Sequence, residues 1–437
     1  MALTGTTRAA ALQDALDAAR RAYARRNPES AALHARAQAS MPGGNTRTAL
    51  HFAPFPLYAA RSEGARLIDV DGHDHLDVLV EYTAGLYGHS HPVVVAEIEA
   101  TLAAGLSNGA PGAADVELAE LIAGRFPAAE RLRFCNSGTE ANLYALTLAR
   151  IATGRGAVMA FAGAYHGGVL GMAGNAQMRV PFDWRIETFN APDIAARIRQ
   201  AGSELAAVIV EPVMTNAGCI PGDPAFLEAL RAACDETGAL LVFDEIVTSR
   251  HGPSGAQGIY GVMPDLVTFG KYLGGGFGFG AFGGRAELMG RFDPFRPDAL
   301  AHAGTFNNNV FSMRVGAAAF RDAFPRERAA LLYVEGEQLR ARLNAICTDL
   351  ALPARFTGLG SVMALHFTDR PVKSPEDLPE QADKRALLHL DLLEAGLYAA
   401  ARSQFALSLP MTAADHDFIA ATIGAALERR ADLYREP

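Results

Sequence analysis

From about residue 115 the chain alternates two hydrophobic patterns. Segments 115–125, 139–153, 192–200 and 224–237 repeat their apolar positions at helical spacing, while 131–135, 157–161, 205–210, 240–243 and 266–269 are short and largely apolar. Short apolar runs of that kind read as strands buried on both faces, as in a parallel sheet. Taken in turn, helix and strand predict an α/β fold whose mainly parallel sheet is covered on both sides.

The flanks lack this rhythm. A helix over the first 26 residues ends near Asn27-Pro28, with Leu12, Leu16 and Tyr23 able to share one face. A second short helix leads into the loop Met41-Pro-Gly-Gly-Asn-Thr-Arg47, marked by its proline and glycines. Strands are predicted at 57–60 and 66–70, before the turn Asp71-Gly72, and Pro92 opens a helix over 93–104. After Asn309 a helical stretch runs from about 313 to 349, then a few short strands and a closing helix near 413–434. This predicts an N-terminal segment, 1–75, that joins a small α+β domain, 311–437, around a large site-bearing domain, 76–310.

Composition narrows the function classes. With 437 residues the chain can bury a large core, and its net charge of −9 argues against a nucleic-acid footprint. No apolar run approaches the roughly 18 residues that span a bilayer. The alanine- and arginine-rich start carries Asp14 and Asp17, so it reads as an amphipathic helix and not a targeting sequence. Cys135, Cys219, Cys234 and Cys347 have no metal or redox spacing, which points to a reducing cytoplasm. His89 and His91 lack a third ligand and are expected to make structural hydrogen bonds, so no metal site is predicted.

Candidate chemistry centres on Lys271, in Thr268-Phe-Gly-Lys271, which ends an apolar run inside a segment so rich in glycine that little should shield it. A desolvated lysine has a depressed pKa and serves as an amine nucleophile and Schiff-base former. A plain surface lysine beside a flexible loop is the alternative on these residues alone. Upstream, Ala239-Leu-Leu-Val-Phe-Asp244-Glu245 ends a buried strand in carboxylates, where ligands of open α/β sheets sit. Lysine for a Schiff base and carboxylate for a pyridinium nitrogen are the pair that pyridoxal phosphate requires. Asp244 as a helix cap is the competing reading.

Other motifs sit at strand ends. In Asn136-Ser137-Gly138-Thr139-Glu140, Ser137 and Glu140 have capping-box spacing, and the helix N-terminus with its glycine and hydroxyls could form a phosphate cup. Tyr165, in Ala164-Tyr165-His166-Gly167, could stack on a pyridine ring or plug the core. Asn216, in Glu211-Pro-Val-Met-Thr-Asn216, could donate to a cofactor phenolate oxygen or serve a turn.

The order Asn-Ser-Gly-Thr-Glu, Gly-x-Tyr-His-Gly, Glu-Pro, Phe-Asp-Glu, Gly-Lys and Gly-Thr resembles the class III pyridoxal-phosphate aminotransferases. That resemblance implies the aspartate-aminotransferase-like fold type I, with a seven-stranded-type sheet in the large domain. It implies pyridoxal 5'-phosphate as cofactor, Lys271 as its Schiff-base residue and Asp244 as the pyridinium partner. Ser137, Gly138, Thr139, Tyr165, His166, Glu211, Asn216 and Ile246 fall in the cofactor-binding motifs. Thr305 matches the threonine that reaches the neighbouring subunit's phosphate, which implies a homodimer with shared sites.

Within the class, Pro42-Gly43-Gly44 and His89-Ser-His-Pro92 are similar to the glutamate-1-semialdehyde aminomutases. Met41-Pro-Gly-Gly-Asn-Thr-Arg47, Glu81-Tyr82-Thr-Ala-Gly85 and Leu407-Ser-Leu-Pro410 look closer to the β-phenylalanine aminotransferases, where amino groups move from a β-amino acid to 2-oxoglutarate. Arg47 and Arg402 match that branch's substrate-carboxylate arginines, and two arginines suit a dicarboxylate; Tyr82 is a further substrate-binding candidate, and plain surface arginines are the alternative. Gln404 departs from the pattern, standing where an aromatic is expected. An aminomutase, or a cofactor-binding protein without turnover, is the alternative.

Overall fold

The computed structural model describes residues 5–435. Its centre is a seven-stranded sheet in the order Arg131–Cys135, Gly280–Gly284, Leu266–Gly270, Leu240–Asp244, Leu205–Val210, Ala157–Phe161, Asp183–Glu187. Only Gly280–Gly284 runs antiparallel to its neighbours. Strands such as Leu205–Val210 and Ala157–Phe161 are buried along their whole length, as their unbroken apolar runs require.

Two of these strands escape the hydrophobic pattern. Asp183–Glu187 is an edge strand, largely exposed, so its residues alternate polar and apolar. Gly280–Gly284 lies in the stretch read as an unshielded glycine-rich segment, and every one of its residues is buried. Its glycines allow close approach: a Cβ on Gly280 would stand 2.2 Å from the carbonyl oxygen of Ser137. Lys271 is therefore packed about by chain on several sides, which corrects the expectation of an unshielded lysine.

The flanks meet in space. Strands Ala59–Glu63, Arg66–Asp69 and Asp74–Asp77 form a four-stranded sheet with Leu397–Tyr398, and the helix Gly5–Arg26 packs on Ala382–Glu394. Leu16 and Tyr23 are buried there. The helix Ala382–Glu394 falls where only short strands were expected. The predicted stretch 313–349 is interrupted: Val310–Ala318 passes through a wider turn at Ala319–Ala323 and stops at Phe324, before Pro325 opens Arg326–Asp349. Proline supplies no N–H and disfavours a helical residue before it, which explains the break.

Among the described residues no helix is long and apolar enough to cross a membrane. The four cysteines are free and buried, and burial pushes the thiols of Cys135, Cys219 and Cys234 up to about 12. His89 pairs with Asp77 at 3.1 Å, and His91 caps the helix Pro92–Ala104 through Val93 N, both structural roles. Among the described residues Asp69, His73 and His75 are the ligand-type side chains that cluster. Both rings address the same carboxylate oxygen, at 3.0 and 3.1 Å, an arrangement of two donors on one acceptor.

Candidate active site

The site forms where three neighbouring strands end. Leu266–Gly270 delivers Lys271, whose φ of +56° turns the chain out of the strand. Its Nζ donates to the carbonyl oxygen of Tyr82. Burial, reinforced by Arg402, pushes the amine down to about 8, against the opposing pull of Asp244 and Glu211. A pKa in that range leaves a usable fraction of free amine near neutrality.

Asp244 ends the adjacent parallel strand, in register with Thr268. Its Oδ2 accepts from Asn142 Nδ2 and from His166 Nδ1, each at 2.8 Å, and its Oδ1 accepts from the amide of Ile246 at 3.1 Å. The acid is buried and its recorded hydrogen bonds all come from donors, which fixes its orientation. It does not cap a helix. Asn142, a buried residue of the helix Gly138–Thr153, also donates to the carbonyl of His166 at 2.9 Å and accepts from Thr268 Oγ1 at 2.7 Å. Sequence reading passed over it. The available signal was a polar residue on that helix's otherwise apolar inner face.

The helix Gly138–Thr153 starts at the end of Arg131–Cys135. Ser137 Oγ accepts from Glu140 N at 3.2 Å, as expected, but Glu140 reaches past it to Asn136 N at 2.8 Å. The amides of Gly138 and Thr139 come first in the helix and have no intrahelical acceptor. A Cβ on Gly138 would stand 2.4 Å from Ile246 Cδ1, so Ile246 closes on space that only glycine leaves. Thr139 Oγ1 accepts from Gly168 N at 3.1 Å.

On the far side Tyr165 is 48% exposed, which removes the reading of a core plug. Its amide donates to Glu211 Oε1 at 3.0 Å, and Thr215 N donates to Oε2 at 3.2 Å. Burial pushes the Glu211 carboxyl up to about 7. A buried amine, a donor-held acid, a helix N-terminus with a glycine cradle and an exposed tyrosine together fit pyridoxal phosphate.

The sequence model of the family Aminotransferase class-III matches residues 49–417. The chain belongs to the class III aminotransferases. It is 47% identical to the beta-phenylalanine transaminase of Variovorax paradoxus, over 95% of this chain and 96% of the relative. The crystal structure of the beta-phenylalanine aminotransferase from Variovorax paradoxus superposes with a TM-score of 0.94, at 46% identity, covering 96% of this chain and 98% of that one. A glutamate-1-semialdehyde 2,1-aminomutase of Methanothermobacter thermautotrophicus is 37% identical over 92% of this chain and 98% of its own length. Like its family, this aminotransferase depends on pyridoxal phosphate.

Beside Lys271 the aminotransferase carries an unusual turn. Val80, Glu81, Tyr82 and Thr83 all have positive φ, between +47° and +78°, with no glycine among them. Such residues cost about 1–2 kcal/mol each, so the surroundings must impose the shape. Asp77 Oδ1 accepts from Leu79 N and Val80 N at 2.9 Å, and the buried Arg250 donates to the carbonyl of Thr83 at 3.3 Å.

The turn places the Tyr82 ring within cation–π reach of two guanidinium groups, Arg47 at 5.2 Å and Arg402 at 5.0 Å from its centroid. Arg47 pairs with Glu81, while Arg402 contacts Asn216 and Gln404. Asn216 thus presents its oxygen to Arg402, at 2.8 Å. Thr305 is exposed, in a turn closed by Asn307 N to the carbonyl of Gly304 at 3.1 Å and tied to the cup by Asn136 Nδ2 to Asn307 Oδ1 at 2.9 Å.

Proposed function

We propose that this class III aminotransferase moves the amino group of a β-amino acid, aromatic and β-phenylalanine-like, to 2-oxoglutarate or pyruvate. The observation that carries this is the pair of arginines about Tyr82, with Arg402 close enough to Lys271 to lower its pKa. Arg47 and Arg402 hold the carboxylates, and a dicarboxylate acceptor can engage both.

When bound, pyridoxal phosphate supplies the electron sink that acidifies the substrate carbon. Lys271 holds the cofactor, then takes and returns the proton at that carbon through Nζ. Asp244 would partner the pyridine nitrogen and stabilise its protonated form, with Asn142 and His166 fixing the carboxylate's orientation. The first amides of the helix Gly138–Thr153, with Ser137 and Thr139, would hold the phosphate, and Tyr165 and Ile246 would contact the ring. Glu211 and Asn216 line the side towards Arg402.

Exposed Thr305, next to Phe306 at 63% exposure, serves the site of a second subunit in a homodimer. The enzyme works in a reducing cytoplasm, in keeping with its four free cysteines. The domain boundaries follow 1–75, 76–310 and 311–437, with the N-terminal segment completing the small domain through the shared sheet.

A screen of α-, β- and ω-amine donors against 2-oxoglutarate and pyruvate tests the substrate. Turnover of β-phenylalanine that needs an added acceptor is expected, and turnover without one would favour an aminomutase. Lys271→Ala should abolish both turnover and borohydride fixation of the cofactor; survival of either overturns the assignment.

A further inference from the structure

Arg402 ends in a fork of donors whose partners are two neutral amides. Nε donates to Gln404 Oε1 at 2.8 Å, Nη2 donates to the same oxygen, and Nη1 donates to Asn216 Oδ1 at 2.8 Å. Among the described residues no carboxylate forms an ion pair with it. Gln404 is 5% exposed and belongs to the strand Gln404–Ala406, whose pairing with Val362–His366 sets Gln404 opposite Ala364. Its amide oxygen therefore stands on a fixed base.

The edge formed by Nε and Nη2 is one by which a guanidinium grips a carboxylate with two parallel bonds. Gln404 fills that edge with a single neutral oxygen. Bonds to an ionised acceptor are roughly twice as strong as neutral ones, so a carboxylate displaces the amide. A glutamate at this position would resist displacement, and an apolar residue would leave a buried cation without partners at that edge.

We propose that Gln404 is a positioning residue that occupies the Nε–Nη2 edge of Arg402 between substrates and competes with an arriving carboxylate for it. This rests on the reading of Arg402 as a substrate-carboxylate arginine. It makes Gln404 a determinant of how tightly dicarboxylate acceptors bind.

Glutarate carries the two carboxylates of 2-oxoglutarate without its keto group, so its binding to the holoenzyme can be measured by calorimetry with no turnover. Gln404→Glu should weaken glutarate at least tenfold, because the arginine is already paired. Gln404→Met, of similar length but with no strong acceptor, should tighten it about threefold or more, because nothing need be displaced. A merely structural glutamine would weaken binding in both variants, and that result, or a change under twofold in both, overturns the proposal. Thermal melts of both variants establish that they are folded. Arg402→Met should abolish glutarate binding; if it does not, the reading of Arg402 itself fails, a result separate from any failure to turn over β-phenylalanine.

Discussion

Asn142 donates its side-chain amide to Asp244 at 2.8 Å, joining the inner face of a helix to a strand end 102 residues further along the chain. Two more bonds, to the carbonyl of His166 and from the hydroxyl of Thr268, tie this asparagine to the loop after Ala157–Phe161 and to the strand Leu266–Gly270 as well. Asn142→Leu keeps the volume and removes all three. Each group left unpaired costs about 1–3 kcal/mol, so a clear drop in the denaturant midpoint is expected. Turnover should fall at least tenfold in kcat with the donor KM little changed, because Asp244 is disoriented while the arginines are untouched. An unchanged kcat in steady-state kinetics would show that His166 alone suffices.

Gly138→Ala sets a methyl group against Ile246 Cδ1, 2.4 Å away in the present structure. Overpacking of this kind costs about 1–3 kcal/mol, and the displaced Ile246 should intrude on the cofactor. Retention of pyridoxal phosphate through dialysis should drop in Gly138→Ala and recover when Ile246→Ala is added. No recovery in the double variant would place the damage in the helix N-terminus instead.

The Glu211 carboxyl sits near 7 where its ordinary value is 4.5, chiefly because it is buried, with Asp244 adding to the rise. Between those values the folded protein holds a proton that the unfolded chain has released, so stability falls as pH rises through the window. Glu211→Gln should remove this slope. Urea midpoints of the two apoproteins, compared from pH 5 to 8, should diverge in favour of the variant as pH rises, and parallel curves would contradict the shift.

Ala351 follows the helix Arg326–Asp349 with a φ of +49°, and Leu352 N bonds back to the carbonyl of Cys347 at 3.0 Å. This is the left-handed helix-ending position that glycine occupies best. The residue is exposed, so Ala351→Gly loses little burial and should stabilise the protein by about 1 kcal/mol, with catalysis unaffected. A lowered midpoint in chemical denaturation would argue against it.

Legibility followed the physics of each segment. Strands 157–161 and 205–210 lie where the hydrophobic pattern puts them. A strand covered on both faces must be apolar along its length, and few other segments are. The edge strand Asp183–Glu187 has no such obligation. The strand Gly280–Gly284 gives up side chains to approach its neighbours, so it looks like a loop. In the site, Lys271 and Asp244 stood out because each charged group ends an apolar run. Asn142 did not, because one polar residue within a helix carries no sign of what it will meet.

The chain's order of apolar runs and turn residues determined by itself the α/β rhythm, the strand ends and the titratable groups that stand there. Those are local properties, set by burial period and by residue type. Tertiary structure decided the rest: the left-handed turn Val80–Thr83, the Tyr82 ring within reach of Arg47 and Arg402, and the amides that occupy Arg402. Backbone conformations that Val80 and Thr83 would avoid alone persist because Asp77 and Arg250 hold the turn from outside it. Contacts between groups hundreds of residues apart leave no period in the sequence, and only the packed chain brings them together.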